Sequence, residues 1–290
     1  MKKGFAIALF ALFYAVSFAA GIGLFIWLVH LGMHYLWSLL LADVLATTLI
    51  YVFGLIVKSP SLYDPYWSVQ TLIFYVFLLC FYGNWNLGTI LMMLPLTFYT
   101  VRLTLNFFIG FSDFNYIDWR YRMLRKKSGP FFQFVNYIGI HMVPTLVVFL
   151  ASIPLFVYAK EWDFHFIDIL AIVISSLGVV LELIADTQMK SFIKTRTSRA
   201  EILERGIWKY SRHPNYLGEN LVWIGFSLVL FGRLDSWYWF VGILAMLLLF
   251  LFISIPLAES NMATYKEGFE EYKKRVSPLL LWPPKKKDKQ

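Results

Sequence analysis

The chain has 290 residues, of which 59% are hydrophobic, 19% aromatic and only 15% charged, and its formal charge is +8. Soluble domains carry about 25% charged and 45–50% apolar residues, so this composition excludes an ordinary soluble globular protein as well as a disordered, collagen-like or coiled-coil chain. A single cysteine, Cys80, excludes an internal disulfide and a CxxC metal site.

Apolar runs of about 20 residues match the length a helix needs to cross a hydrocarbon core of roughly 30 Å. They predict an all-α, polytopic transmembrane bundle of eight spans: roughly 5–29, 35–57, 67–82, 87–110, 132–158, 166–189, 217–232 and 236–257. The first follows Met1, Lys2 and Lys3 and has small residues at Ala19 and Ala20, as a signal peptide would. Its apolar character continues through Trp27 and Leu28, beyond a usual 7–15-residue signal core, so it is read as a retained helix; removal would leave seven spans. Pro144 and Pro154 fall in the fifth span and predict kinks.

Placing both termini in the cytoplasm puts 23 of the 26 basic residues on the inner side and only Lys160 and Arg233 on the outer side, with Arg102 inside a span. Positive charge concentrates on the cytoplasmic side of membrane proteins, so the split supports both spans and orientation. It also explains the basic balance without nucleic acid. The clusters Arg120–Lys127 and Lys285–Lys289 are expected at an anionic leaflet, where each charge contributes about 1 kcal/mol.

Ionisable groups within a bilayer need a partner or a function. Asp43, in the middle of the second span, reads as a buried hydrogen-bonding partner. Tyr99, Arg102 and Asn106 fall at i, i+3 and i+7 and share one helix face, either as interhelical polar contacts or as part of a site. Glu182 and Asp186 form a second stripe, extended by Lys190 and Lys194. The densest pattern runs from Gly206 to Asn220. Pro214 suits the first turn of a helix, so Arg212 and His213 come just before a helix N-terminus, which favours an anion. Asn215 and Glu219 then share a face one turn apart. Beyond the last span, Tyr265 and Tyr272 are expected at i, i+7 on one short polar helix.

The sequence Gly206-x-Trp208-x-Tyr210-Ser211-Arg212-His213-Pro214-Asn215-Tyr216-x-Gly218-Glu219 resembles the C-terminal domain of the steroid 5α-reductase family, and most of all its DUF1295 group. Asp64-x-x-Trp67, Arg102, Asp118-x-Arg120-Tyr121, Glu182-x-x-x-Asp186-x-Gln188 and Phe269-Glu270-Glu271-Tyr272 extend the likeness over about three quarters of the chain. The first 60 residues read as an N-terminal transmembrane hairpin, chemically the plainest part, and the resemblance implies a membrane reductase domain over 61–290. It implies NADPH entering the bundle from the cytoplasm, without a Rossmann domain, and a lipid-soluble, steroid-like or other enone substrate reached from the bilayer. The membrane would be a bacterial inner membrane or the endoplasmic reticulum.

By the same resemblance, Asn215 and Glu219 hold the nicotinamide part, Asp186 and Tyr265 also contact the cofactor, and Arg120, Arg196 and Arg212 meet its phosphates. Arg102, His213 and Tyr216 complete the cofactor set, and Tyr99 donates to the substrate carbonyl. Steroid-reducing members pair that tyrosine with a glutamate; none is found in the first three spans, and Asp64 or Gln70 stands nearest. Asn261 occupies a place where steroid-specific members tend to carry histidine. Isoprenylcysteine carboxyl methyltransferases, which bind S-adenosylmethionine, share an Arg-His-Pro-x-Tyr turn but usually have serine before the tyrosine and lack the Gly-Glu. That class, and a non-catalytic lipid- or cofactor-binding member, are the alternatives.

Overall fold

The computed structural model describes residues 2–233 and 240–286. Among these, the chain is helical, and its isolated bridge joins Ser211 to Ser277. Among the described residues, seven helical stretches are long and apolar enough to cross a membrane: Lys3–His30, Tyr35–Ile56, Pro60–Tyr82, Leu87–Gly110, Trp119–Glu161, Phe166–Thr195 and Val241–Met262. The expected span at 217–232 corresponds to a helix of 15 residues, Pro214–Leu228, and the expected start of the last span at 236 lies outside the described residues. The chain divides into two compact units, Met1–Phe164 and His165–Gln290, so by contacts the 1–60 hairpin lies inside the first unit.

The first unit begins with α1 (Lys3–His30) and α2 (Tyr35–Ile56). They approach closely because Gly21 has no side chain: a Cβ there would lie 2.7 Å from the carbonyl oxygen of Ala42. Small residues are the usual means of helix contact in lipid, where apolar surface gains nothing from burial against apolar surface. A 3₁₀ turn, Pro60–Tyr63, leads into α3 (Tyr66–Tyr82) and α4 (Leu87–Gly110). Asp43 of α2 is buried and accepts from the Tyr66 hydroxyl at 2.8 Å. The Gln70 amide, oriented by its hydrogen-bond network, donates to both Asp43 oxygens at 2.9 and 3.2 Å.

The two ends of this unit differ in charge. At one end Lys3 donates to Phe108 O at 2.8 Å, Ser59 to Tyr116 O at 3.3 Å, and the basic helix α5 (Trp119–Ser128) starts on the Asp118 side chain. At the other, Asn84 and Asn86 donate to Trp162 O at 3.1 and 2.8 Å, and Lys160 stands over the rings of Tyr35 and Tyr82. After α5 come a short α6 (Phe132–Val135), a π-helical stretch Asn136–Met142, and α7 (Val143–Glu161).

The main irregularity in this long helix is therefore the π stretch, one turn ahead of the expected kink at Pro144. Proline has no N–H to give and its ring clashes with the carbonyl four residues back, here Ile140. Widening the preceding turn to i→i+5 removes the clash while keeping the helix continuous.

The second unit contains α8 (Phe166–Thr195), α9 (Pro214–Leu228), α10 (Val241–Leu249), a second π stretch Phe250–Ser254, α11 (Ile255–Met262) and α12 (Phe269–Arg275). The second π stretch also precedes a proline, Pro256, for the same reason. The helices α8 and α9 pack along their lengths through glycines. A Cβ on Gly178 would lie 2.6 Å from Gly218 O; one on Gly225 would lie 2.5 Å from Ser175 N. At the far end of this contact Arg233 donates to both carboxylate oxygens of buried Asp168 at 2.5 and 2.8 Å. Asp168 also accepts from the His165 N–H and so closes the start of α8.

Because these glycines face backbone, which cannot move aside, Gly178→Ala and Gly225→Ala are each expected to lower stability by about 1–3 kcal/mol, the usual cost of overpacking. Gly23, with nothing within 4 Å of its Cβ position, is the control: Gly23→Ala leaves the melting temperature in detergent within error of the parent.

Candidate functional site

In the second unit the motif at 206–219 is held between α8 and the tail. Gly206 has φ +60°, and a Cβ there would collide with the Gln188 side chain. Gln188 instead accepts the Ile207 N–H at 3.0 Å, and the Trp208 indole donates to Ala185 O at 3.1 Å. From the other side the Tyr272 hydroxyl donates to Trp208 O at 2.7 Å, and burial raises the Tyr272 phenol well above its usual range, so it stays a donor. Ser211 donates to Leu279 O at 2.7 Å, and the Arg212 N–H to Ser277 O at 2.9 Å.

Arg212 and His213 precede α9, as the sequence indicated, and the anion they meet belongs to the protein. The Arg212 Nε donates to Glu259 Oε1 at 2.7 Å, and its Nη1 to the carbonyls of Lys273 and Val276 at 2.5 and 2.8 Å. The His213 Nε2 lies 3.2 Å from the same Glu259 oxygen, and Lys273 approaches the other at 3.6 Å. Sequence reasoning passed over Glu259 as a tail residue. Its signal was there: a carboxylate at the end of an apolar helix, where a cation has to answer it.

Beyond this clamp, His213 serves as N-cap and Pro214 as the first residue of α9. Tyr216 stacks on the His213 ring at 5.2 Å and leans against Phe250 at 4.8 Å. Asn215 and Glu219 stand one turn apart. The Asn215 Oδ1 is buried and has no hydrogen-bond partner among the described residues, and buried Glu219 accepts from the Trp223 indole at 2.7 Å. Facing α9, buried Glu182 packs on Gly218, and half-buried Asp186 follows one turn later on α8.

At the end of α8, Arg196 is the C-cap. The loop after it is shaped by Glu201, whose Oε1 accepts from the Thr197 hydroxyl, the Thr197 N–H and the Ser198 N–H at 2.6, 2.8 and 2.9 Å. These bonds, the hydroxyl first, hold its pKa below the usual carboxylate value. Lys266 donates to Glu201 O and lies over the rings of Phe192 and Tyr265. Burial, and after it the nearby charge of Arg196 and Arg199, lower the Lys266 pKa. Arg196, Arg199 and Lys266 thus form a cationic group beside Tyr265. Tyr265 itself is 42% exposed and sits in the turn after α11, not on a helix shared with Tyr272 as the spacing predicted. Gly268, at φ +67°, separates the two.

In the first unit Tyr99 is fully buried and meets Trp67 edge to face at 6.3 Å, and Arg102, one turn on, is also buried. Nearby on the same pair of helices, Thr100 donates to Ser68 O at 3.0 Å. Asp64 follows the 3₁₀ turn; its Oδ1 accepts from the Tyr121 hydroxyl at 2.5 Å and from Arg120 at 3.3 Å. Arg120 also binds Asp118 at 2.8 Å. Asp64, Asp118, Arg120 and Tyr121 therefore form one cluster, while Gln70 belongs with Asp43.

A family model described as "Protein of unknown function (DUF1295)" matches residues 50–276. The chain belongs to the DUF1295 family. Within curated proteins it is 26% identical over 210 residues to an uncharacterised protein of Schizosaccharomyces pombe, covering 62% of this chain and 59% of that one. It is 25% identical over 124 residues to 3-oxo-5-alpha-steroid 4-dehydrogenase 1 of Rattus norvegicus, covering 43% of this chain and 45% of that one. The Mus musculus enzyme of the same name is 26% identical over 128 residues, with coverages of 43% and 47%. The chain thus spans between under half and three fifths of these relatives' lengths. No solved structure matches it. It is a membrane protein of a family related to the steroid 5α-reductases.

The Glu259 clamp gives the first test of the site's construction. Removing one partner of a buried ion pair costs about 3–5 kcal/mol, so Glu259→Gln is expected to destabilise the protein strongly. The double variant Glu259→Gln with Arg212→Met is expected to recover part of that loss in urea or thermal unfolding, because the uncompensated guanidinium is gone.

Proposed function

We propose that the chain is an integral-membrane reductase that uses NADPH to add hydride across a C=C conjugated with a carbonyl in a lipid-soluble substrate, its cofactor site opening to the cytoplasm. The observation that carries this reading is Asn215. A buried acceptor without a donor is costly, and Oδ1 of Asn215 is such an acceptor, one turn from the Glu219 carboxylate. A primary carboxamide such as that of nicotinamide supplies the N–H donor that Asn215 Oδ1 lacks. The residues therefore fit the group, with Asn215 and Glu219 holding the carboxamide and Asp186 and Tyr265 flanking the nucleotide. Arg196, Arg199 and Lys266 suit its phosphates, since charge-assisted bonds to phosphate are the strong ones.

In this reading Arg212, His213 and Tyr216 position α9: their contacts with Glu259 and with one another fix the direction in which Asn215 and Glu219 point. Arg120 is likewise set by Asp64 and Asp118, with the Tyr121 hydroxyl as the third contact of Asp64. Tyr99 and Arg102 serve the substrate side. When bound, NADPH supplies the hydride. The protein's part is to orient the substrate, exclude water and stabilise the charge that develops on the carbonyl oxygen. A buried phenol such as Tyr99 does this by donating to that oxygen, and loss of one such donor costs about 10²–10³ in rate.

Three outcomes are expected. NADPH, and not S-adenosylmethionine, raises the melting temperature of the purified protein, because a ligand that binds only the folded state stabilises it. Asn215→Ala and Glu219→Ala each abolish the shift; parental binding by both variants would refute the cofactor site. Tyr99→Phe keeps the NADPH shift but loses about two orders of magnitude in turnover of an enone lipid, the size set by a lost oxyanion donor.

A fourth outcome concerns pH. A lysine with a lowered pKa loses its charge earlier than an ordinary one, and bound phosphate favours the charged form. The preference for NADPH over NADH is therefore expected to fall as pH rises toward the usual lysine value, with onset below 10.5. Lys266→Met removes this pH dependence. A preference that is flat with pH in the parent excludes Lys266 from the phosphate site.

A further inference from the structure

The C-terminal tail carries a surface that neither the Glu259 clamp nor the reductase reading uses. From Lys273 to Lys287 the sequence has six basic residues and no acidic one. Within this stretch Leu280, Leu281 and Trp282 follow one another and are 60%, 42% and 68% exposed. Three consecutive apolar side chains on a water-facing surface are a defect unless they meet something. Val276 and Leu279, just before them, are buried, so the tail packs by those two residues and presents the next three.

The backbone fixes this wedge against the segment that begins α9. The Trp282 N–H donates to Tyr210 O at 3.1 Å, and the Lys285 N–H to Arg275 O at 3.0 Å. The three side chains are therefore held out from a pinned strand of chain. Tyr210 is itself 40% exposed, and Lys209 stands over its ring at 5.7 Å. Lys285 and Lys286, just past Pro283 and Pro284, are exposed as well. The height of the patch follows from the clamp. Glu259 lies one turn before the end of the apolar stretch Val241–Met262, and Arg212 binds it. Tyr210 and Trp282 thus lie close to the level at which that stretch leaves the hydrocarbon.

We infer that Tyr210, Leu280, Leu281, Trp282, Lys285 and Lys286 form a docking surface for an anionic phospholipid leaflet, and that the docked leaflet steadies the start of α9. The apolar side chains enter the boundary between headgroups and acyl chains, and the lysines meet lipid phosphates. Charge alone would draw the tail toward the surface without fixing its depth; the exposed wedge gives it a place. Each part selects the same occupant. Trp and Tyr favour the membrane interface, and an exposed apolar patch with a polar rim marks a membrane or protein contact. A lysine close to an anionic leaflet is worth about five-fold in affinity. A nucleic acid would answer the lysines and leave the leucines in water. A protein partner has to be brought to the surface, whereas the leaflet already lies at its level. The steadying effect follows from the backbone: the tail holds Ser211 through Leu279 O and Arg212 through Ser277 O. The inference does not rest on the reductase reading and is tested apart from it.

The experiment uses the full-length protein in nanodiscs of phosphatidylcholine, with and without phosphatidylglycerol. In a Cys80→Ser background, which removes the one native thiol, Leu281→Cys carries a bimane label. Leu280→Cys, at the more exposed position, supplies a second label should the first variant not fold. In discs with phosphatidylglycerol the label is expected to be quenched by a nitroxide on the upper acyl chain and shielded from acrylamide. Without the anionic lipid the ratio of the two quenching constants is expected to fall several-fold, and Lys285→Gln combined with Lys286→Gln to lose most of that difference. The unlabelled parent is expected to melt higher with phosphatidylglycerol than without it. Trp282→Ser keeps the N–H that bonds Tyr210 O; it is expected to match the parent's melting temperature in detergent and to lose the gain from phosphatidylglycerol. Free quenching by acrylamide in anionic discs, as for a tail that faces water or awaits a protein partner, overturns the inference. So does a quenching ratio or a melting temperature blind to phosphatidylglycerol, a double lysine variant that behaves as the parent, or a full gain in Trp282→Ser.

Discussion

Where α8 and α9 touch, there is no side chain between their backbones, and this contact governs what the second unit can present. Gly178, Gly218 and Gly225 bring the two helices together closely enough that a single methyl group would meet a carbonyl or an amide. At that separation Glu182 of α8 lies directly on α9. The turn at Gly206 rests on Gln188, and the Trp208 indole reaches a backbone carbonyl of α8. Arg233 and Asp168 close the far end of the same contact with two charge-assisted bonds. In lipid, helix association depends on such close packing and on interhelical hydrogen bonds, because burial of apolar surface drives little. The candidate cofactor residues on α9 inherit their placement from this contact and from the Glu259 clamp at its start.

The first unit solves a different problem, that of polar side chains inside an apolar medium. Asp43 is answered by Tyr66 and Gln70, Thr71 by Ser152 at 2.8 Å, and the Tyr63 hydroxyl by Thr145, also at 2.8 Å. Individual bonds of this kind average only about 0.6 kcal/mol in membranes, so their main effect is to fix helix register rather than to supply stability. Tyr99 and Arg102 are buried on α4, beside a pair of helices whose register is held in this way. The proposed role of Tyr99 as donor to a substrate oxygen would draw on that rigidity, since preorganisation is what makes such a donor effective.

The spans were legible because hydropathy and length are local properties of a sequence, and the boundaries of α2, α3 and α4 follow the apolar runs within a residue or two. The family was legible because the 206–219 motif is dense. What escaped reading depends on residues far apart in the chain. The partner of Arg212 and His213 is Glu259, 47 residues beyond Arg212, so a pair of cations before a helix looked like an open anion site. The donors to Asp43 come from another helix, and nothing near Asp43 announces them. The π stretches were signalled by Pro144 and Pro256, yet a proline tells only that the ladder must change, and a kink and a widened turn are both solutions. Tyr265 and Tyr272 were placed on one helix by spacing alone; Gly268, between them, was the local signal against it.

The clamp that sets the start of α9 also has a bearing on how the protein is made. Arg212 is held by a carbonyl 64 residues further along the chain, at Val276, and the Tyr210 carbonyl by the Trp282 N–H. During synthesis the N-terminal parts of a chain emerge and fold first. The helices α8 and α9 can therefore pair in the membrane while the segment before α9 is still without its counter-charge. Until Glu259 and the turn after α12 have left the ribosome, Arg212 is a guanidinium with no carboxylate to meet. The motif richest in chemistry is thus among the last parts of the protein to acquire its shape, and a chain interrupted before residue 259 would insert its helices and still lack a finished site.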